Sequence, residues 1–145
     1  MATELMTYDE TMSGQRVAGA TLNLPATHTT LRDLIRARVY EETKAYNRRV
    51  QERADSLKQR AAIKVQAGQA ELVLNAAQAD HKSPVLIPVK FLDWQEQAER
   101  ALLDFQRNRY FVLVGDRQIE ELEDEIELLP GAEVTFLRLI PLAGG

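Results

Sequence analysis

Protein chemistry usually needs a nucleophile, a proton-transfer pair or a cluster of metal-binding side chains, and this chain of 145 residues is poor in all three. It has no cysteine, which excludes disulfides, thiolate metal sites and cysteine nucleophiles together. The two histidines, His28 and His81, stand far apart in polar surroundings. Asp33, Asp93 and Asp104 occur singly in helical patterns, where a surface charge is an acid's ordinary role. No Ser/His/Asp set, Gly-rich phosphate loop or paired-carboxylate motif occurs in the sequence. Neither a catalytic side chain nor a metal ligand is therefore expected. What remains is the closing stretch FLRLIPLAGG, Phe136 to Gly145. Gly144 and Gly145 lack a Cβ and so permit the closest backbone approach and the widest choice of φ and ψ. Such an end is either a frayed terminus or a carboxylate that is itself the working group.

A working terminus must be held by a fold, and the periodicities predict one. ELMTYDETM and QRVAGATLNL both read as extended, with Ser13-Gly14 as a short turn between them, which makes a hairpin. In the second run Ala18, Ala20, Leu22 and Leu24 share one face at period two, and Pro25 ends it. Thr30 then caps a helix with Asp33 three residues on. Leu31, Leu34, Ile35 and Val39 form its apolar stripe, expected to lie on the hairpin. Beyond Tyr46 the stripe thins to Val50, Ala54, Leu57 and Ala61. Gly68 interrupts it, AELVLNAAQ resumes a helical run, and Ser83-Pro84 and Pro88 break what precedes them. FLDWQEQAERALLDFQ reads as a further helix with Phe91, Leu92, Trp94, Ala98, Ala101, Leu102 and Phe105 on a broad face, ending near Asn108. Strands follow from Tyr110 to Val114, across a Gly115-Asp116 turn, and from EVTFLRLI after a Pro130-Gly131 turn.

Charge and composition limit the partners. The net charge of −4 is the wrong sign for a general nucleic-acid binder, which needs surplus Lys and Arg to meet phosphates. MATELMTYDE carries acids where a secretory leader carries bases, and no run approaches the ~18 apolar residues of a membrane span. A cytoplasmic protein with no membrane or nucleic-acid partner is expected. EELEDEIE, Glu120 to Glu127, puts six acids into eight residues and reads as a solvated linker. Arg36, Arg38, Arg48 and Arg49 read as a solvated helix surface.

With the middle set aside, residues of about 4–45 and 108–145 give a hairpin, a helix and three further strands. This order resembles the β-grasp fold of ubiquitin-like proteins, an α+β class with a mixed sheet and one packed helix. The resemblance rests on YFVLVGDRQ, LLPGAEV, TFLRLI and a terminal Gly-Gly in that order. It covers about half the chain, with a helical insertion of about 46–107 added. IPLAGG is similar to the endings of the thiamine and molybdopterin sulphur carriers, whereas the added helical region is closer to bacterial ubiquitin-like modifiers.

The resemblance implies a substrate of enzymes rather than an enzyme. An E1-like adenylating enzyme would use ATP to activate Gly145, since a carboxylate is a poor electrophile until one oxygen becomes a leaving group. An E2-like conjugating enzyme and a deconjugating peptidase are further implied partners, and no cofactor is bound. Gly144 and Gly145 would thread a narrow channel, Arg138, Leu139, Leu142 and Ala143 would meet the partner, and Pro141 would stiffen the exit from the last strand. A sulphur carrier with a C-terminal thiocarboxylate is the alternative within the same chemistry. A non-conjugated scaffold, self-associating through its helical insertion, is the alternative outside it.

Overall fold

The computed structural model describes residues 3–64 and 90–139. The chain divides into two compact units, Met1–Thr43 with Asp93–Gly145, and Lys44–Leu92. The first holds seven strands among the described residues: β1 (Thr3–Thr11), β2 (Arg16–Leu24), β3 (His28–Thr30), β4 (Tyr110–Val114), β5 (Arg117–Ile119), β6 (Glu125–Glu127) and β7 (Glu133–Arg138). Helix α1 (Leu31–Lys64) begins in it, and α2 (Trp94–Gln106) lies within it. No helix of the described residues is long and apolar enough to cross a membrane.

Five strands form one mixed sheet in the order β2-β1-β7-β4-β5, so both ends of the chain share a sheet as expected. β1 pairs antiparallel with β2 and parallel with β7, from Met6 opposite Glu133 to Thr11 opposite Arg138. β4 pairs antiparallel with β7 and β5. The local turn chemistry is as read: Gly14, Gly115 and Gly131 all take positive φ, where an L side chain is strained.

Gly19 and the alanines of β2 have a structural cause. The β1–β2 register slips between Met6 and Tyr8, so Gly19 and Ala20 together oppose Thr7 in a bulge. The buried Thr7 hydroxyl donates to the Ala20 carbonyl. A Cβ at Gly19 would lie 2.9 Å from Thr7 Oγ1, closer than packed atoms approach. Downstream of the bulge Leu22 and Leu24 are buried, whereas Ala18 is exposed.

Thr30 Oγ1 accepts from the Asp33 N–H at 3.2 Å, the expected cap. The next free donors of α1 find partners in the acidic stretch: Leu31 N–H donates to Asp124 O at 3.1 Å and Arg32 N–H to Leu122 O at 2.8 Å. That stretch is therefore more than a linker. Glu125–Glu127 is strand β6, paired with β3 over His28–Thr30, and Leu122 and Ile126 are buried between the acids. Carboxylates here also sit favourably at the positive end of the helix.

Leu31, Leu34 and Ile35 are buried and share one core with Leu5, Leu22, Val112, Val134 and Phe136 of the sheet. Leu102 and Phe105 of α2 belong to the same core. The helix Trp94–Gln106 thus lies with the sheet unit, whose division falls at 44–92 instead of the anticipated 46–107. Its apolar face was legible, but which layer that face would join is a tertiary outcome. Asp93 caps it by accepting from the Gln95 N–H at 3.0 Å, so Phe91 and Leu92 precede the helix. In the other unit, the Asn47 amide exchanges two hydrogen bonds with the Leu92 backbone, at 3.0 and 2.9 Å, which brings the two ends of that excursion together. The run AELVLNAAQ, Gly68, Pro84, Pro88 and the proposed pairing of helices in the insertion lie outside the described residues.

Candidate functional site

The site suggested by the sequence is the end of β7. Val134 and Phe136 point into the core, Arg138 continues on that side, and Leu137 pairs with Phe111 on the opposite face. Two neighbours, β1 and β4, pair with β7 along its length, so this strand is anchored on both sides. Leu139 extends the contact by one step, its N–H donating to Arg109 O at 3.3 Å. Of the residues assigned to tail recognition and activation, Arg138 and Leu139 are brought together here. Pro141, Leu142, Ala143, Gly144 and Gly145 lie outside the described residues.

A cavity of about 640 Å³ opens beside Arg138 and Leu139. Ile35, Val39, Ala101 and Phe136 give it apolar walls, and Arg38, Glu42, Asp104 and Arg109 its polar rim. Its size falls within the ~300–1,000 Å³ of ordinary ligand pockets. Tyr110 is wedged behind it, its hydroxyl donating to Ala101 O at 2.6 Å and its ring tilted against Phe105 and Phe136. Burial pushes the Tyr110 phenol above its usual range, the nearby Arg38 and Arg138 opposing only in part.

Arg38 is the residue that sequence reasoning misplaced. A lone arginine on a helix reads as solvated, yet its side chain is only 7% exposed. Its guanidinium lies 3.9 Å over the Phe136 ring, donates to Asp9 Oδ1 at 2.6 Å through Nη2 and pairs with Glu42 through Nε. Asp9 in turn lies 3.9 Å from Arg138 Nε. One β1 carboxylate thus faces arginines from α1 and from the last residue of β7. The planar fork suits this, because it stacks and donates in two directions at once. An acid at position 9 and a base at 38 were visible in the sequence, but nothing local links residues so far apart.

The other arginines read as solvated divide. Arg36 lies 5.4 Å over the Trp94 ring and 3.8 Å from Glu99, whereas Arg48 and Arg49 are exposed. His28 is exposed, its Nδ1 3.1 Å from Thr27 Oγ1. Among the described residues no three His, Asp or Glu side chains gather as a metal-binding group. The arrangement supplies a doubly paired strand end, a partly exposed ion cluster around the buried Arg38, and beside it a cavity with apolar walls and a charged rim. Comparison with known proteins finds no matching family model, no similar curated protein and no similar solved structure.

Proposed function

We propose that this chain is a ubiquitin-like modifier on a β-grasp sheet, activated at Gly145 by an ATP-dependent adenylating enzyme and passed to a target or to another copy. The observation that carries the reading is the parallel pairing of β1 with β7 in the middle of the sheet. It sets the last described strand, β7, between two neighbours at the centre of the sheet, with α1 and α2 contributing side chains to the same core. Residues after a doubly paired strand can be handed to a partner without disturbing the core, which is what activation of a terminal carboxylate needs. Pro141 supports this, since a residue without an N–H cannot extend the ladder.

In this reading the chain supplies no catalytic side chain. Gly144 and Gly145 let the backbone pass close to the partner's nucleotide, and Arg138 and Leu139, at the end of β7, meet the partner first. Attack of the carboxylate oxygen on the α-phosphorus of ATP would form an acyl-adenylate and release pyrophosphate. A nucleophile would then take the acyl group and release AMP.

Removing Gly144 and Gly145 tests the proposal. The shortened protein is expected to fold normally and to lose ATP-dependent attachment, and Gly145→Trp is expected to do the same by obstructing the channel. Conjugation of the shortened protein at an undiminished rate would overturn the reading.

A further inference from the structure

A net charge of −4 has the wrong sign for a nucleic-acid partner only if it is evenly spread, and it is not. Residues 44–92, the second compact unit, hold nine Lys and Arg against four Asp and Glu, whereas the rest of the chain holds nine against eighteen. Within that unit α1 places Arg49, Arg53, Ser56 and Arg60 at successive intervals of four, three and four residues. At 3.6 residues per turn these four fall within about 60° of arc, in one row along about 16 Å of helix. All four are exposed, and none of the three arginines has an ion pair among the described residues. Glu52 and Asp55, the acids nearest in sequence, lie outside the row, and Asp55 accepts from Gln51 Nε2 at 2.9 Å. The row is thus a line of donors with no carboxylate in it.

We propose that this row is a contact surface for the phosphate backbone of a nucleic-acid duplex, with one phosphate on each of Arg49, Arg53 and Arg60. A guanidinium fork takes two phosphate oxygens at once, and a serine hydroxyl among the arginines can donate to a neighbouring one. Contacts of this kind position a duplex without reading its bases, so the binding is independent of sequence. A membrane surface would require a broad apolar face beside the cations. Between Lys44 and Arg60 the large apolar side chains that stand exposed are Tyr46 and Leu57, at 40% and 42%. A second copy of this chain would have to meet the row with acids, and its densest run, Glu120 to Glu127, is interrupted by the buried Leu122 and Ile126. A duplex carries one charge per ~1.7 Å of axis without interruption. The proposal uses neither Gly145 nor the modifier reading.

Fluorescence anisotropy of a labelled DNA duplex of about 20 base pairs, titrated with the full-length chain between about 50 and 200 mM salt, tests it. Three phosphate contacts give log K a slope of about −2.7 against log salt, so the affinity is expected to fall about fortyfold over that range. Each of Arg49→Gln, Arg53→Gln and Arg60→Gln removes one contact, and the fall should shrink to about twelvefold. Arg48→Gln and Lys58→Gln, on other sides of the same helix, should leave it near the parent's value. Glutamine keeps the helix propensity of the residues it replaces, and circular dichroism checks that each variant is folded, alanine taking its place in any that is not. Three results would overturn the proposal: no duplex binding at the lowest salt, an equal change of slope from the variants outside the row, or binding to phosphatidylserine-containing vesicles or to other copies of the chain without binding to the duplex. No activating enzyme takes part, so failure here is distinct from failure of the proposed function.

Discussion

At the scale of single residues, two positions hold more than their types suggest. Gly19 faces Thr7 across the bulge with no room for a Cβ, and Thr7 is β-branched and buried, so it cannot swing aside. Gly19→Ala is expected to destabilise the fold by about 1–3 kcal/mol, the usual cost of forcing extra volume into a packed site. Thr7→Ala should relieve part of that cost when the two are combined, and urea unfolding of the four proteins of the cycle measures it. Arg38 is the second position. Arg38→Met keeps the apolar stem over Phe136 but leaves Asp9 without its closest partner. Because Asp9 and Glu42 are partly exposed, at 33% and 44%, the expected loss is about 2 kcal/mol, below the 3–5 of a fully buried pair. Arg38→Lys should recover little, since an ammonium neither stacks nor forks. The urea midpoints of both variants check this.

At the scale of elements, α2 distinguishes a core helix from an inserted one. Leu102 is 4% exposed and joins the sheet's core, whereas its neighbour Leu103 is 43% exposed. Leu102→Ala is expected to cost about 2–5 kcal/mol and Leu103→Ala less than about 0.5, a contrast that thermal or urea unfolding resolves. Equal effects would mean that α2 does not pack as described. The hairpin, the Thr30 cap and the turns at Gly115 and Gly131 were legible because each obeys a rule confined to a few neighbouring residues. β3 and β6 were not, because three residues carry no periodicity and each strand exists only by pairing with the other. The acids around Leu122 and Ile126 concealed two buried positions for a similar reason. Polarity in the flanking residues says nothing of where the alternate ones point. The broad face of α2 was legible as apolar, but not its destination, which depends on strands that follow it in the chain.

At the scale of the whole molecule, the foot of β7 joins three elements of the fold: Asp9 from the first strand, Arg38 from the helix and Tyr110 from the strand after α2. Tyr110 gives this junction a pH signature. Burial raises its phenol above the ordinary value near 10, so the folded state keeps the proton after the unfolded chain has lost it. The stability this confers is complete below about pH 10 and declines as the pH rises from there toward the folded value. Ultraviolet titration of tyrosinate is expected to show a late step that disappears in Tyr110→Phe, and urea unfolding above pH 10 should show that variant losing less stability than the parent. A late step retained in the variant would assign the effect elsewhere.

The account's central claim concerns the end of the chain, and the full-length protein tests it directly. Intact-mass spectrometry follows the chain incubated with ATP and an E1-like adenylating enzyme, with and without added nucleophile. The expected result is an ATP-dependent mass increase equal to an adenylate, or to the ester, amide or thiocarboxylate that replaces it, located at Gly145. A mass unchanged with every adenylating enzyme of the source cell, or a modification located away from Gly145, would contradict the modifier reading.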